Sequence, residues 1–279
     1  MTLTSVPGEP LLQFRLAYLR LLAKTWRDER FRKEIFSKPV PGGSMTEDIQ
    51  DKLITNFGCT TKWPNLRVQL YASHDPAQAV RWSYKDAVGW IGPNDLFVIT
   101  LPNCPDDSQK KYMAEALAAY YQNFPTVLGP ALSTMSSPHS HGIGSPQPTA
   151  MGIPGGGPDS FLAFGSVILR AVILSWTNKE FFHELIHAND AVPSLAKWFG
   201  FSMPFNFFIK FEHNPSSDYN WSYNASSQTW GWNMGTPEAP VIWNKVVLNY
   251  PTCPDDEEIR PVALATYNNT GAAYPFTCN

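Results

Sequence analysis

The sequence predicts an α+β protein of two tandem modules with one plan, related by a pseudo-twofold. Three observations carry that reading. The first is an internal repeat. Phe14, Leu19-Arg20, Trp26, Phe31 and Glu34-Ile35 are answered at one constant spacing by Phe164, Leu169-Arg170, Trp176, Phe181 and Glu184-Leu185. Trp82-Ser83-Tyr84 is answered by Trp221-Ser222-Tyr223, and Gly89-Trp90 by Gly231-Trp232. Pro102-Asn103-Cys104-Pro105-Asp106-Asp107 is answered by Pro251-Thr252-Cys253-Pro254-Asp255-Asp256. Matches that keep their order along a chain are the mark of a duplication. The second observation is that helical and strand patterns succeed one another in the same order in each copy. The third is composition. Hydrophobic residues at 43% supply a core, and charged residues at 16%, against about 25% in ordinary domains, argue against a disordered solvating chain.

Each module opens on a long amphipathic helix, predicted over Leu11–Phe36 and Phe161–Ala188, because Leu12, Leu16, Leu19, Ala23 and Trp26 fall at helical spacing. Trp26 and Trp176 are the expected central aromatics, and the two long helices are candidates to pack on each other. A break follows at Pro39–Gly43, and at Pro193 in the second copy. A short helix is predicted over Thr46–Phe57, stopped by Gly58. A strand follows at Leu66–Tyr71 or Phe205–Phe211, then a loop rich in Trp and Gly. A second strand, Leu96–Leu101 or Val246–Tyr250, ends at Pro-x-Cys-Pro-Asp-Asp. The paired Asp residues suit the start of a closing helix, at Ser108–Asn123 or Glu257–Tyr267, where carboxylates meet the positive end of the helix dipole. The four Asp together are also a candidate cation site. The modules are placed at 11–130 and 161–279. The segment 131–160, rich in Ser, Pro, Gly and His, reads as a linker, and its His139 and His141 as solvated linker residues.

Composition excludes several functions. A net charge of −3 provides no footprint for nucleic acid or an anionic membrane surface. Four scattered cysteines with no CxxC pair exclude zinc ribbons and thioredoxin-type chemistry. The acidic surroundings of Cys104 and Cys253 offer no positive field to activate a thiol. Phe161–Trp176 is interrupted by Arg170 and is too short to span a bilayer. Met1–Pro10 lacks the pattern of a signal peptide. A cytoplasmic location with reduced thiols is the expectation.

His183-Glu184-Leu185-Ile186-His187 is an HExxH motif. On a helix its two His lie on one face and can grip zinc, with Glu184 as general base on the bound water. Asp190, Glu212 and His213 are candidate third ligands, though none stands in a zincin continuation. The equivalent stretch of the first copy, Lys33-Glu34-Ile35-Phe36-Ser37, keeps only the Glu, so the helix also has a purely structural reading. No cofactor is therefore the first expectation and zinc the alternative.

The segment Trp26-Arg27-Asp28-Glu29-Arg30-Phe31-Arg32-Lys33-Glu34-Ile35 resembles the nitrile-hydratase-like leader peptides of ribosomal natural-product precursors. Trp26, Asp28, Phe31, Ile35 and Gly58 fit that pattern. Trp176, Phe181, Leu185 and Gly200 fit it again, with Asn178 in place of the Asp. Residues 11–279 are similar to a Burkholderia-type family of thiazole/oxazole-modified microcin (TOMM) precursors. The resemblance implies a bacteriocin-like substrate whose leader residues Leu19, Trp26, Asp28, Phe31 and Ile35 are recognised by a cyclodehydratase. It also implies azoline formation near the C-terminus, where Cys278 is the first candidate and Thr277 the second. The chain departs from that pattern in being long, aromatic and poor in modifiable residues at its end. A zinc hydrolase built on His183, Glu184 and His187 remains an alternative. So does a non-catalytic binding module whose surface lies near Trp90, Trp230 and Trp232.

Overall fold

The structure is a computed structural model that describes residues 10–37, 44–60, 62, 66–84, 89–128, 158–202, 207–213, 220–233 and 244–269. Apolar residues at helical spacing build α1 (Pro10–Arg27), whose buried face carries Phe14, Ala17, Tyr18, Leu21, Leu22 and Trp26. The predicted continuation to Phe36 is corrected. Asp28 adopts an extended backbone and its carboxylate accepts the amide of Phe31 at 2.9 Å, which caps a separate helix, α2 (Glu29–Ile35). The short helix predicted from Thr46 also starts later. Met45–Asp48 forms a strand, β1, and α3 spans Gln50–Phe57. Gly58 closes α3 with φ 77°, a conformation glycine adopts without strain. Then come β2 (Leu66–Ala72), β3 (Arg81–Ser83), β4 (Gly89–Ile91) and β5 (Asp95–Thr100). A 3-10 turn at Asp107–Tyr112 leads into α4 (Met113–Leu128).

The second segment follows the same course. α5 (Pro158–Thr177) buries Phe164, Val167, Ile168, Ala171 and Val172. The single helix expected to run to Ala188 is broken at Asn178, whose side chain accepts the amide of Phe181 at 3.0 Å and caps α6 (Lys179–His187). α7 (Val192–Phe199) ends at Gly200 with φ 66°. β6 (Phe207–Glu212), β7 (Trp221–Asn224), β8 (Thr229–Trp232), β9 (Asn244–Asn249) and α8 (Arg260–Asn269) complete the order.

Strands of the two segments alternate in one five-stranded sheet, in the order β1-β2-β9-β5-β6. β2 runs parallel to β9, β5 runs parallel to β6, and the central pair β5 and β9 is antiparallel. One face of the sheet carries Leu66, Val68, Leu70, Phe97, Ile99, Ile209, Phe211, Val246 and Leu248, all buried in the core with the helices. β3–β4 and β7–β8 are two separate hairpins. The long helices were candidates to pack on each other. Instead, α1 lies chiefly against α3 and α2, with α8 alongside, and α5 chiefly against α4 and α6. Trp26 is 8% exposed, whereas Trp176 is only partly buried. Among the described residues no helix is long and apolar enough to cross a membrane.

Candidate functional site

The leader-like residues are engaged by the fold itself. Trp26 stacks on Trp90 with ring centroids 5.8 Å apart and donates its indole N–H to the carbonyl of Pro251 at 2.9 Å. Phe31 packs edge-on against Phe57, and the Lys24 ammonium sits 3.9 Å from its ring centroid. Ile35 is fully buried, Leu19 is partly buried, and Asp28 is the α2 cap. What this stretch shows to solvent is the opposite face, Arg27, Glu29, Arg30, Lys33 and Glu34.

The HExxH motif forms the last turns of α6. His183 and His187 are exposed, their rings stack with centroids 4.0 Å apart, and the His187 Nδ1 lies 2.8 Å from the carbonyl of His183. Glu184 turns toward α7, where its carboxylate accepts from Lys197 at 2.9 Å and from the Trp198 indole at 3.2 Å. Those hydrogen bonds hold its pKa below the usual carboxylate value, first that from Lys197. The candidate third ligands serve elsewhere. Asp190 accepts the amides of Val192 and Ile209, joining α7 to β6. Glu212 pairs with Lys245 at 3.2 Å. His213 lies 2.8 Å from the Asn103 side chain and edge-on to Phe182, and burial lowers its pKa. Among the described residues no group of three or more His, Cys, Asp or Glu is placed to hold a metal ion, the four Asp included. Among the described residues, then, no third ligand converges on His183 and His187.

The Trp-rich hairpins also turn toward the interior. Trp90 donates to the Ala263 carbonyl and Trp232 to the Ala116 carbonyl, each at 2.8 Å, while Trp230 stacks on Tyr112. Beside the first hairpin is a cleft of about 500 Å³, lined by Arg81, Trp82, Tyr84, Cys253, Asp255 and Asp256. These residues are brought together by the tertiary fold, far apart as they are in sequence. The available signal was that both Trp82-Ser83-Tyr84 and the Cys-Pro-Asp-Asp run are repeated. Cys253 donates weakly to the Trp26 carbonyl at 3.7 Å, and burial raises its thiol pKa, as it does that of Cys104. Raised thiols are poor nucleophiles at neutral pH. Cys59 lies in the core at 3% exposure.

A second feature not read from the sequence is Asp95, buried at the start of β5. It accepts the backbone amide of Asn249 at 2.6 Å and its side-chain amide at 3.1 Å. Burial pushes its pKa up to about 7, against the pull of those hydrogen bonds. Thr277, Cys278, His139 and His141 lie outside the described residues.

A family model described as a ribosomal natural product, two-chain TOMM family, matches residues 9–128 and residues 159–275. No curated protein and no solved structure matches the chain.

Proposed function

The chain belongs to the two-chain TOMM family of ribosomal natural products, and from that premise we propose that it is a maturation substrate rather than a catalyst. The family match across most of the chain is the observation that carries this reading. A maturation enzyme of the cyclodehydratase class is the partner. Cys278 is the residue to be cyclised, with Thr277 second. In that step the Cys278 Sγ bonds to the carbonyl carbon of Thr277, the Cys278 amide nitrogen becomes doubly bonded to that carbon, and the carbonyl oxygen leaves as water with the thiol and amide protons. For Thr277 the hydroxyl attacks the carbonyl of Phe276 in the same way. Activation of the carbonyl belongs to the partner enzyme, so the reading assigns this chain no resident cofactor.

Among the described thiols Cys59 and Cys253 are enclosed at least in part, and Cys104 is exposed with a pKa that desolvation raises. Ring closure reshapes the backbone and consumes an amide N–H, which a packed segment tolerates poorly. Cys59 is enclosed by the core, and Cys253 is held against the turn that Trp26 anchors. The recognition surface in this reading is the α1–α2 corner. Trp26, Phe31, Ile35 and the Asp28 cap fix its shape, and its exposed charged ridge meets the enzyme.

Co-expression with the maturation enzyme and mass analysis of the C-terminal peptide tests the assignment. The wild-type peptide should lose about 18 Da for an azoline, or about 20 Da after oxidation to an azole. Cys278→Ala should abolish that loss or move it to Thr277. A wild-type peptide of unaltered mass would overturn the reading.

A further inference from the structure

The contacts between the two halves of the chain come in matched pairs. Trp26 donates to Pro251 at 2.9 Å, and its sequence counterpart Trp176 donates to Pro102, the counterpart of Pro251, at 3.0 Å. Trp90 donates to Ala263, and its counterpart Trp232 to Ala116, each at 2.8 Å. The amide of Leu101 reaches the carbonyl of Glu212 at 2.8 Å, and the amide of Tyr250 reaches that of Tyr71 at 2.7 Å. Each of these six bonds crosses from one half to the other. In the central strand pair Phe97 lies directly opposite Val246, the residue that aligns with it in the Pro-x-Cys-Pro-Asp-Asp repeat. A twofold axis through that pair would generate the whole set.

The strand order gives this pattern an energetic meaning. β2 and β5 belong to the first half but are not neighbours, because β9 lies between them. β6 and β9 of the second half are likewise separated by β5. A half on its own would leave both edges of β5, or of β9, without their ladder partners, and buried backbone groups without partners are costly. It would also strip α4 or α8 from the long helix it covers.

We propose that the two halves are the members of an exchanged pair. The partner that each half is shaped to take is a second module of the same family, carried here on the same chain. The family match extends over residues of both halves, 9–128 and 159–275. This inference does not depend on whether Thr277 or Cys278 is modified.

The test uses the full-length folded protein with a protease site inserted within residues 129–157. After cleavage the two fragments should stay together as one particle with the mass of the uncleaved variant, in native size exclusion and native mass spectrometry. They should separate only in denaturant, in a single shared transition. Trp90→Phe keeps a ring but loses the bond to Ala263, and should weaken reassociation of the cleaved halves by roughly three- to tenfold. Fragments that part under native conditions as two folded species would overturn the proposal. So would fragments that comigrate but unfold in two independent transitions.

Discussion

Among the described residues Asp95 has no cation against it and is held by Asn249, and its pKa of about 7 carries a stability consequence. An unfolded aspartate titrates near ~3.9. Between about pH 4 and 7 the native state therefore holds a proton that the unfolded chain has released. Stability falls as pH rises through that window and is level above it. Asp95→Asn keeps an acceptor for Asn249 without the buried charge. Calorimetry should show Tm raised by about 3–8 °C at pH 8 and little changed at pH 4. The aligned residue of the second half, Asn244, is already an amide. Nothing in the local sequence marked Asp95, since its burial depends on strands brought together from distant parts of the chain. Trp26 was legible as a core residue from its place on the helical stripe. Its bond to Pro251 was not, because the two are joined only through the tertiary fold.

At the scale of the element, the helices were legible from their periodicity, but their breaks were not. The apolar stripe runs on through Phe31 and Ile35, so spacing alone predicts one helix. The side chains of Asp28 and Asn178 compete for the Phe31 and Phe181 amides and turn the chain. Asp28→Ala should cost about 1 kcal/mol in denaturant unfolding. β1 was missed for a similar reason, since the short Met45–Asp48 run becomes a strand only through its pairing with β2. The HExxH helix gives the sharper contrast. His183 and His187 are exposed and Leu185 is buried. The double variant His183→Ala/His187→Ala should remain within about 0.5 kcal/mol of wild type, with or without added zinc. Leu185→Ala should cost about 2–5 kcal/mol. A zinc-dependent loss of stability in the His variant would restore the metal reading. The motif was the most conspicuous signal in the sequence. What the sequence could not carry was the direction of Glu184, toward Lys197 and Trp198.

For the whole molecule, the α+β class followed from pattern and composition, because alternating periods depend only on local spacing. Which strand pairs with which did not follow. A repeat in sequence fits modules that each close their own sheet as well as modules that exchange strands, and the choice between them rests on contacts far apart in the chain. The order β1-β2-β9-β5-β6 interleaves the halves. The long helices accordingly meet the closing helices α8 and α4 rather than chiefly each other. The central claim is that this folded body belongs to a natural-product precursor modified at its end. The most direct test is the intact and top-down mass of the protein purified from its native host. The account predicts a deficit of about 18 or 20 Da confined to the peptide carrying Thr277 and Cys278. An unmodified mass, with stoichiometric zinc on the same sample, would contradict it and return the function to His183, Glu184 and His187.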